Sequence, residues 1–313
     1  MNEKKLPSIS VVVPVYNSEG TIEILSDRIS KVLKNHSSKF ELILINDGSE
    51  DRSWELISKL ANKYSWVHGI NLMRNYGQHN ALLCGVRAAK YELIITMDDD
   101  LQNPPEEMPH LINKIKEGYE VVYGTPKMEQ HGLFRDLVSI ITKLVLQNAM
   151  GVKAARNISS YRIFRKNLRN AFSNYDGPYV TLDVLLSWGT KNFSSVVVEH
   201  EKRNIGKSTY NFKKLSIHVL NMVTGFTVVP IRLASFIGFL FTLFGFIIFL
   251  YVILNFLIFG TSVQGFTFLA SIIAIFSGAQ LFSLGIIGEY LGRMHFRAMN
   301  KPTYVIRDEL NSK

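Results

Sequence analysis

Over the first 200 residues, short apolar runs alternate with stretches whose apolar positions recur at helical spacing. This βαβα rhythm predicts an α/β fold with a mostly parallel sheet and helices on its faces. Strands are predicted over residues 8–15, 40–45, 68–72 and 120–123, with one more in between that ends at Asp98, Asp99 and Asp100. Helices are predicted over about residues 21–34, 51–64, 80–89 and 106–117; in the second, Trp54, Ile57 and Leu60 share one face. Beyond residue 123 the pattern loosens to a helix over 134–150, a strand-like stretch over 159–164, a helix over 181–188 and a strand over 194–199.

The pattern changes near the C-terminus. Residues 233–259 and 266–288 contain no charged side chain. Each stretch exceeds the ~20 residues that cross a ~30 Å hydrocarbon core as a helix. Only residues 260–265 join them, so a tight transmembrane hairpin is predicted. Arg232 precedes the first span, and Arg293, His295, Arg297 and Lys301 follow the second, while the connecting turn is uncharged. The positive-inside bias places both ends of the hairpin, and everything before residue 232, in the cytoplasm. Just ahead of it, Lys213, Lys214 and His218 mix with apolar residues. That mixture suits helices lying in the membrane interface over 212–232, with a buried helix as the alternative. The expected organisation is a cytoplasmic domain over 1–211, these interfacial helices, two spans, and a cytoplasmic tail over 289–313.

Composition adds little to this and excludes some classes. No signal-peptide pattern is visible at the start, where Met1-Asn2-Glu3-Lys4-Lys5 is polar. The single cysteine, Cys84, rules out an internal disulfide and fits a reducing compartment. A net charge of +9 is compatible with nucleic acid, but the Lys and Arg are scattered and no nucleic-acid motif occurs. Attraction to anionic lipid head groups accounts for the charge better.

The candidate chemistry begins at Tyr91-Glu92-Leu93-Ile94-Ile95-Thr96-Met97-Asp98-Asp99-Asp100, an apolar strand running into three carboxylates. Gln102, Asn103, Pro104 and Pro105 follow and stop the strand. Open α/β sheets bind ligands beyond the carboxyl ends of their strands. Three adjacent like charges are tolerated best where a cation compensates them. In extended chain, alternate side chains share a face, which puts Asp98 and Asp100 together and Asp99 opposite. A D-x-D pair suits Mg²⁺ or Mn²⁺, which take few protein carboxylates and fill their other positions with phosphate oxygens. Taken alone, the three residues also fit an acidic, solvated turn.

Neither G-x-G-x-x-G nor G-x-x-x-x-G-K-S/T occurs, so no glycine-rich phosphate cradle is expected. A nucleotide would have to be held by strand-end carboxylates and a metal. Polar groups close four predicted strand ends: Pro14-Val15-Tyr16-Asn17, Asn46-Asp47-Gly48-Ser49, Arg74-Asn75-Tyr76-Gly77-Gln78-His79 and Asp98 to Gln102. In this order and spacing the chain resembles family 2 of the inverting glycosyltransferases, whose fold is the Rossmann-like GT-A. The resemblance runs from Ser8 to about Arg297 and is strongest to the branch that loads sugars onto polyprenyl phosphates. That branch includes dolichol-phosphate mannose synthase and the undecaprenyl-phosphate formamido-arabinose and glucosyl transferases. Asp100-Leu101-Gln102-Asn103-Pro104-Pro105-Glu106-Glu107 and Gly288-Glu289-Tyr290-Leu291-Gly292-Arg293 carry it too.

The resemblance implies roles for individual residues. Pro14, Tyr16 and Glu19 match a first loop that contacts the nucleotide. Asp47 matches the acidic position that receives base or ribose; the family usually has two Asp there, and this chain has Asn46. Asp98 and Asp100 match the metal-binding positions, Asp100 the stronger ligand candidate and Asp98, with Asp99, on the nucleotide side. Gln102 matches a polar position beside the donor sugar, or is simply a turn residue. His200-Glu201-Lys202-Arg203-Asn204-Ile205-Gly206-Lys207-Ser208-Thr209-Tyr210 resembles the family's H-x-x-R-x-x-G-x-S-x-Y segment. A planar guanidinium suits two-point phosphate recognition, so Arg203 is the candidate for diphosphate or acceptor phosphate, assisted by Lys207 and Ser208. A solvated basic loop is the alternative. Arg135 matches a basic residue of the acceptor loop, or is a surface arginine at a helix start. Arg162 matches the Arg of the family's Phe-Arg-Leu strand and is grouped with the acceptor phosphate.

One departure bears on mechanism. Some relatives carry Asp where this chain has Ser160. An alcohol acceptor needs a general base, whereas a phosphate monoester, with its second pKa at about 6, is already largely dianionic. Lipid phosphate as acceptor is therefore the less affected. The expected enzyme moves one sugar from a nucleotide-diphosphate donor, UDP-linked by preference, to undecaprenyl phosphate at a bacterial inner membrane. The resemblance also implies a homo-oligomer, a tetramer. Two rival readings are a processive polysaccharide synthase, whose Q-x-x-R-W segment is absent here, and a non-catalytic membrane scaffold or sugar-nucleotide sensor.

Overall fold

The structure, a computed structural model, describes residues 6–126, 157–177, 180–201, 228–260 and 265–312. The chain divides into two units, Met1–Asn211 with Asn300–Lys313, and Phe212–Met299.

In the first unit the order is β1 (Ser8–Val15), α1 (Ile22–His36), β2 (Lys39–Asn46), α2 (Ser53–Lys63), β3 (Val67–Leu72), α3 (Gln78–Ala88) and β4 (Leu93–Thr96). A 3-10 turn, Pro105–Glu107, then leads into α4 (Met108–Ile115) and β5 (Val121–Pro126). Next come β6 (Arg162–Arg165), a 3-10 segment (Lys166–Phe172), α5 (Leu182–Gly189), β7 (Phe193–Val198) and finally β8 (Ile306–Leu310). All eight strands form one sheet in the order β7-β5-β6-β4-β1-β2-β3-β8. The run β4-β1-β2-β3 is parallel, as is β5-β7; β6 lies antiparallel between β4 and β5, and β8 antiparallel on β3.

The central strands read as nearly continuous apolar runs because both faces are covered. Alternate residues serve the two layers. Ile9, Val11, Val13 and Val15 of β1 pack with Leu25 and Ile29 of α1, Ile57 of α2 and Leu111 of α4. Val12 of the same strand points the other way, with Ile43, Ile45, residues of α3 and Leu185 of α5. The strand order reverses at β1, which has β2 on one side and β4 on the other, so a crevice opens beyond their carboxyl ends.

Most predicted elements lie within a few residues of the observed ones. β4 is shorter than expected and stops at Thr96, two residues before Asp98. The predicted helix over 134–150 lies outside the described residues, as do 212–227 of the expected interfacial segment. The expected tail over 289–313 is built differently. Residues 289–298 continue a helix, and β8 closes the sheet edge beside β3. Side chains fasten it there: His68 Nε2 lies 2.9 Å from Glu309 Oε1, Asn71 donates to Asp308 at 3.0 Å, and Asn311 donates to the carbonyl of Val67 at 2.9 Å.

The second unit contains α6 (Val229–Phe259) and α7 (Phe266–Ala298). Phe241 of α6 meets Phe276 of α7 edge-on at 5.5 Å, and Phe276 also leans over Gly245. Among the described residues, α6 is long and apolar enough to cross a membrane, and its large side chains point outward.

Candidate active site

Loops following β1, β2, β3 and β4 meet beyond the carboxyl ends of these strands. The β2 loop turns at Gly48, whose φ of +68° is left-handed and whose missing Cβ would sit 2.5 Å from the backbone nitrogen of Asn75. Only glycine lets the β2 and β3 loops approach this closely. Beside it, Asp47 accepts the backbone N–H of Tyr76 (2.7 Å) on one oxygen and that of Gly77 (2.8 Å) on the other. Asp47 is 3% exposed, and burial pushes its pKa up while the two amides oppose the shift. Here its carboxylate fastens the loop leading into α3, instead of lying open as the acceptor expected for base or ribose. The neighbouring Asn46 donates to Asn71 at 2.8 Å.

The β1 loop is stitched to the β2 loop. Asn17, at φ +53°, donates its N–H to Ser49 Oγ (3.0 Å) and accepts from the amide of Glu50 (2.8 Å). Glu19 donates its N–H to Asp51 (3.0 Å), and its carboxylate accepts from Arg52 (3.2 Å). Pro14 is buried within β1, whereas Tyr16 is exposed at the rim.

The three carboxylates leave the turn in separate directions. Asp98 accepts from Gln78 Nε2 on Oδ1 and from Ser160 Oγ on Oδ2, both at 2.6 Å. Asp99 accepts from Ser18 Oγ (2.5 Å) and the amide of Tyr16 (3.2 Å). Asp100 accepts from the amide of Gln102 at 3.1 Å, across Leu101 at φ +62°. A leucine in the left-handed region costs roughly 1–2 kcal/mol, so surrounding contacts must enforce this turn. Asp98 and Asp99 do have different partners, but strand alternation is not the cause, since β4 ends at Thr96. The common face expected for Asp98 and Asp100 rested on the same alternation, and these hydrogen-bond donors to the two carboxylates differ.

Burial pushes the Asp99 carboxyl up to about 6, with Asp98 and Asp100 adding to the shift and Ser18 and Tyr16 opposing it. A cation in the turn would relieve that cost. Among the described residues no three His, Cys, Asp or Glu converge as a closed cage. Carboxylate oxygens are the donor type that suits a hard divalent ion, which takes one or two carboxylates and completes its shell with phosphate and water oxygens.

Arg162 requires correction. It is 2% exposed and its guanidinium pairs with buried Asp183, which also accepts from Tyr123 Oη at 2.9 Å. Its charge is met inside the core, so it does not present a surface to an acceptor phosphate. It acts on the site from behind: Arg162 Nε and Thr96 Oγ1 both donate to the carbonyl of Ser160, at 3.4 and 2.9 Å. Arg135, Arg203, Lys207 and Ser208 lie outside the described residues. Gln102 lies beside the carboxylates, and its carbonyl accepts the amide of Glu201 at 2.9 Å. Gln78, Ser18 and Ser160 gained no role from sequence. Gln78 stands inside a quoted motif, but the two serines carry no periodic or charge signal.

Residues 10–173, a little over half of the chain, match the model for glycosyl transferase family 2. The chain belongs to that family. A relative, the undecaprenyl-phosphate 4-deoxy-4-formamido-L-arabinose transferase of Yersinia enterocolitica serotype O:8, is 34% identical over 308 residues, covering 97% of this chain and 94% of that protein. The transferase of the same name from Yersinia pestis (strain Pestoides F) is 33% identical over 306 residues, covering 96% and 93%. Among solved structures, glucosyl-3-phosphoglycerate synthase from Mycobacterium tuberculosis, in complex with Mn²⁺, UDP and glucosyl-3-phosphoglycerate, superposes with a TM-score of 0.51 at 21% identity, over 70% of this chain and 78% of that one. At that identity the likeness is one of fold. The protein is thus a glycosyltransferase with the α/β, GT-A type of sheet expected from its strand ends.

Proposed function

We propose that this glycosyltransferase moves a single sugar from a nucleotide-diphosphate donor, UDP-linked by preference, onto undecaprenyl phosphate, with inversion at the anomeric carbon. The observation that carries the reading is the acidic turn at the point where the strand order reverses, with its carboxylates held in fixed directions. The near full-length likeness to transferases named for undecaprenyl phosphate supports the acceptor half.

The phosphate oxygen of the acceptor would attack the anomeric carbon from the face opposite the leaving diphosphate; the new C–O bond forms as the bond to the nucleotide breaks. The acceptor is already largely dianionic, since its second pKa is about 6, so no base need occupy the position of Ser160. Charge accumulates on the departing diphosphate. A Mg²⁺ or Mn²⁺ ion, when bound, supplies Lewis-acid neutralisation of that charge. Asp98 and Asp100 would hold the ion, Tyr16 and the β1 loop would line the nucleotide, and Gln102 would stand by the donor sugar. Arg203, with Lys207 and Ser208, would position phosphate by two-point hydrogen bonding. Arg135 remains a candidate acceptor contact.

The apolar surface of α6, with α7, supports a multi-pass location in a bacterial inner membrane, with the sheet domain on the cytoplasmic side. Self-association through the hairpin, as a tetramer, belongs to the same proposal. The test is to incubate purified protein with radiolabelled sugar nucleotides, Mn²⁺ and undecaprenyl phosphate, and to extract the lipid. A labelled monosaccharide lipid is expected. Labelled polymer would favour a processive synthase, and no transfer from any donor would favour a sensor or scaffold.

A further inference from the structure

Arg28 lies within α1, outside the motifs that carry the site, and its guanidinium joins two loops. Nε donates to Glu106 Oε1 (3.0 Å) and Oε2 (3.2 Å), and Nη2 donates to Glu106 Oε2 (2.7 Å) and to Glu201 Oε1 (2.8 Å). Glu106 sits in the 3-10 turn that follows the three carboxylates and Gln102. Glu201 follows β7 and stands two residues before Arg203. The same two loops meet a second time, where the Glu201 amide donates to the Gln102 carbonyl at 2.9 Å. From its other side the Gln102–Glu106 stretch is held by Tyr161 Oη, which donates to the Pro104 carbonyl at 3.2 Å.

The two carboxylates are 53% and 43% exposed, so these ion pairs contribute little to global stability. What they supply is geometry. A planar fork can serve both carboxylates only if the loops stay at one separation, a restriction that the point charge of a lysine would not impose.

We infer that Arg28 is a positioning residue: it locks the Gln102–Glu106 loop to Glu201 beyond β7, and so fixes the stretch that follows the three carboxylates, Gln102 included, beside the acidic turn. Its catalytic consequence rests on the proposed function; the lock itself does not.

The test uses full-length protein carrying Arg28→Gln, Arg28→Lys, Glu201→Gln and the double variant Arg28→Gln/Glu201→Gln. In ligand-free protein, hydrogen exchange at the Glu201 amide should quicken about tenfold in Arg28→Gln while protection of the sheet core is kept. Unchanged exchange overturns the lock, whether or not the protein transfers sugar. If Arg28→Gln does not fold, Glu201→Gln severs one arm alone and is read in the same way. In the transfer assay, KM for undecaprenyl phosphate should rise or kcat fall by about tenfold in Arg28→Gln, with UDP–Mn²⁺ affinity within about twofold of wild type. Arg28→Lys should behave like Arg28→Gln, and the double variant should be no worse than its worse parent. Faster exchange with unaltered kinetics, or additive losses in the double variant, would overturn the positioning role. Wild-type protein that neither binds UDP nor labels lipid would overturn the proposed function, while the exchange result decides the lock separately.

Discussion

Asp98 is gripped from two elements, by Gln78 at the start of α3 and by Ser160 ahead of β6. Ser160 is itself held by its carbonyl, through Thr96 and Arg162, so the buried Arg162–Asp183 pair reaches the acidic turn through one residue. Ser160→Ala should leave the fold intact, because only a partly buried hydroxyl is removed, but free one oxygen of Asp98. Transfer is expected to slow about tenfold, in kcat more than in KM for the donor. Unchanged kcat would show that Gln78 alone orients Asp98. At this scale the strand-end polar groups were legible, because polar residues closing an apolar run stand out from it. The direction of each side chain was not. Nothing local distinguishes an arginine whose partner is substrate from one whose partner is Asp183, 21 residues on. Asp47 posed the same difficulty, since its partners are backbone amides that no side-chain pattern reveals.

The parallel strands and their helices were legible from periodicity, and the helices pack tightly on the sheet. Helix α3 lies so close to β1 and β2 that a Cβ on Gly85 would fall 2.4 Å from Val12 Cγ1 and 2.6 Å from Ile45 Cδ1. Gly85→Val should therefore destabilise the sheet domain by about 1–3 kcal/mol in denaturant unfolding. An unchanged midpoint would mean that α3 can lift off the sheet freely. The link between α1 and the 3-10 turn makes a prediction in pH. The hydrogen bond from Arg28 holds the Glu106 carboxyl below its ordinary 4.5. A depressed carboxyl pKa stabilises the fold above the unfolded value, and that contribution is lost as pH falls through the folded value. The thermal stability difference between wild type and Arg28→Gln, small for ion pairs this exposed, should thus be present at neutral pH and fade as pH falls below the ordinary 4.5. A difference that persisted in acid would have another origin. Strand β8 was not legible. It is short, mostly exposed and charged in the middle, and its place is set by His68 and Asn71, more than 200 residues earlier.

Across the whole molecule, charge and hydropathy divide the work. The candidate site lies in the unit built on the sheet, while α6 and α7 form a unit of outward-facing apolar side chains that water does not favour. The last residues, Asn300–Lys313, return to the sheet unit, so the helical pair is an insertion within it and not a terminal appendage. Two apolar stretches of this length are among the plainest features a sequence can carry, whereas that return rests on a handful of polar contacts. Everything proposed for the reaction depends on the acidic turn gripping a divalent ion together with a nucleotide diphosphate. Titration calorimetry of UDP into full-length protein addresses this directly. Binding is expected only with Mn²⁺ or Mg²⁺ present, and it should vanish in Asp100→Asn protein that still inserts into membranes. Equal UDP uptake in the presence of EDTA, or undiminished uptake by Asp100→Asn, would contradict it.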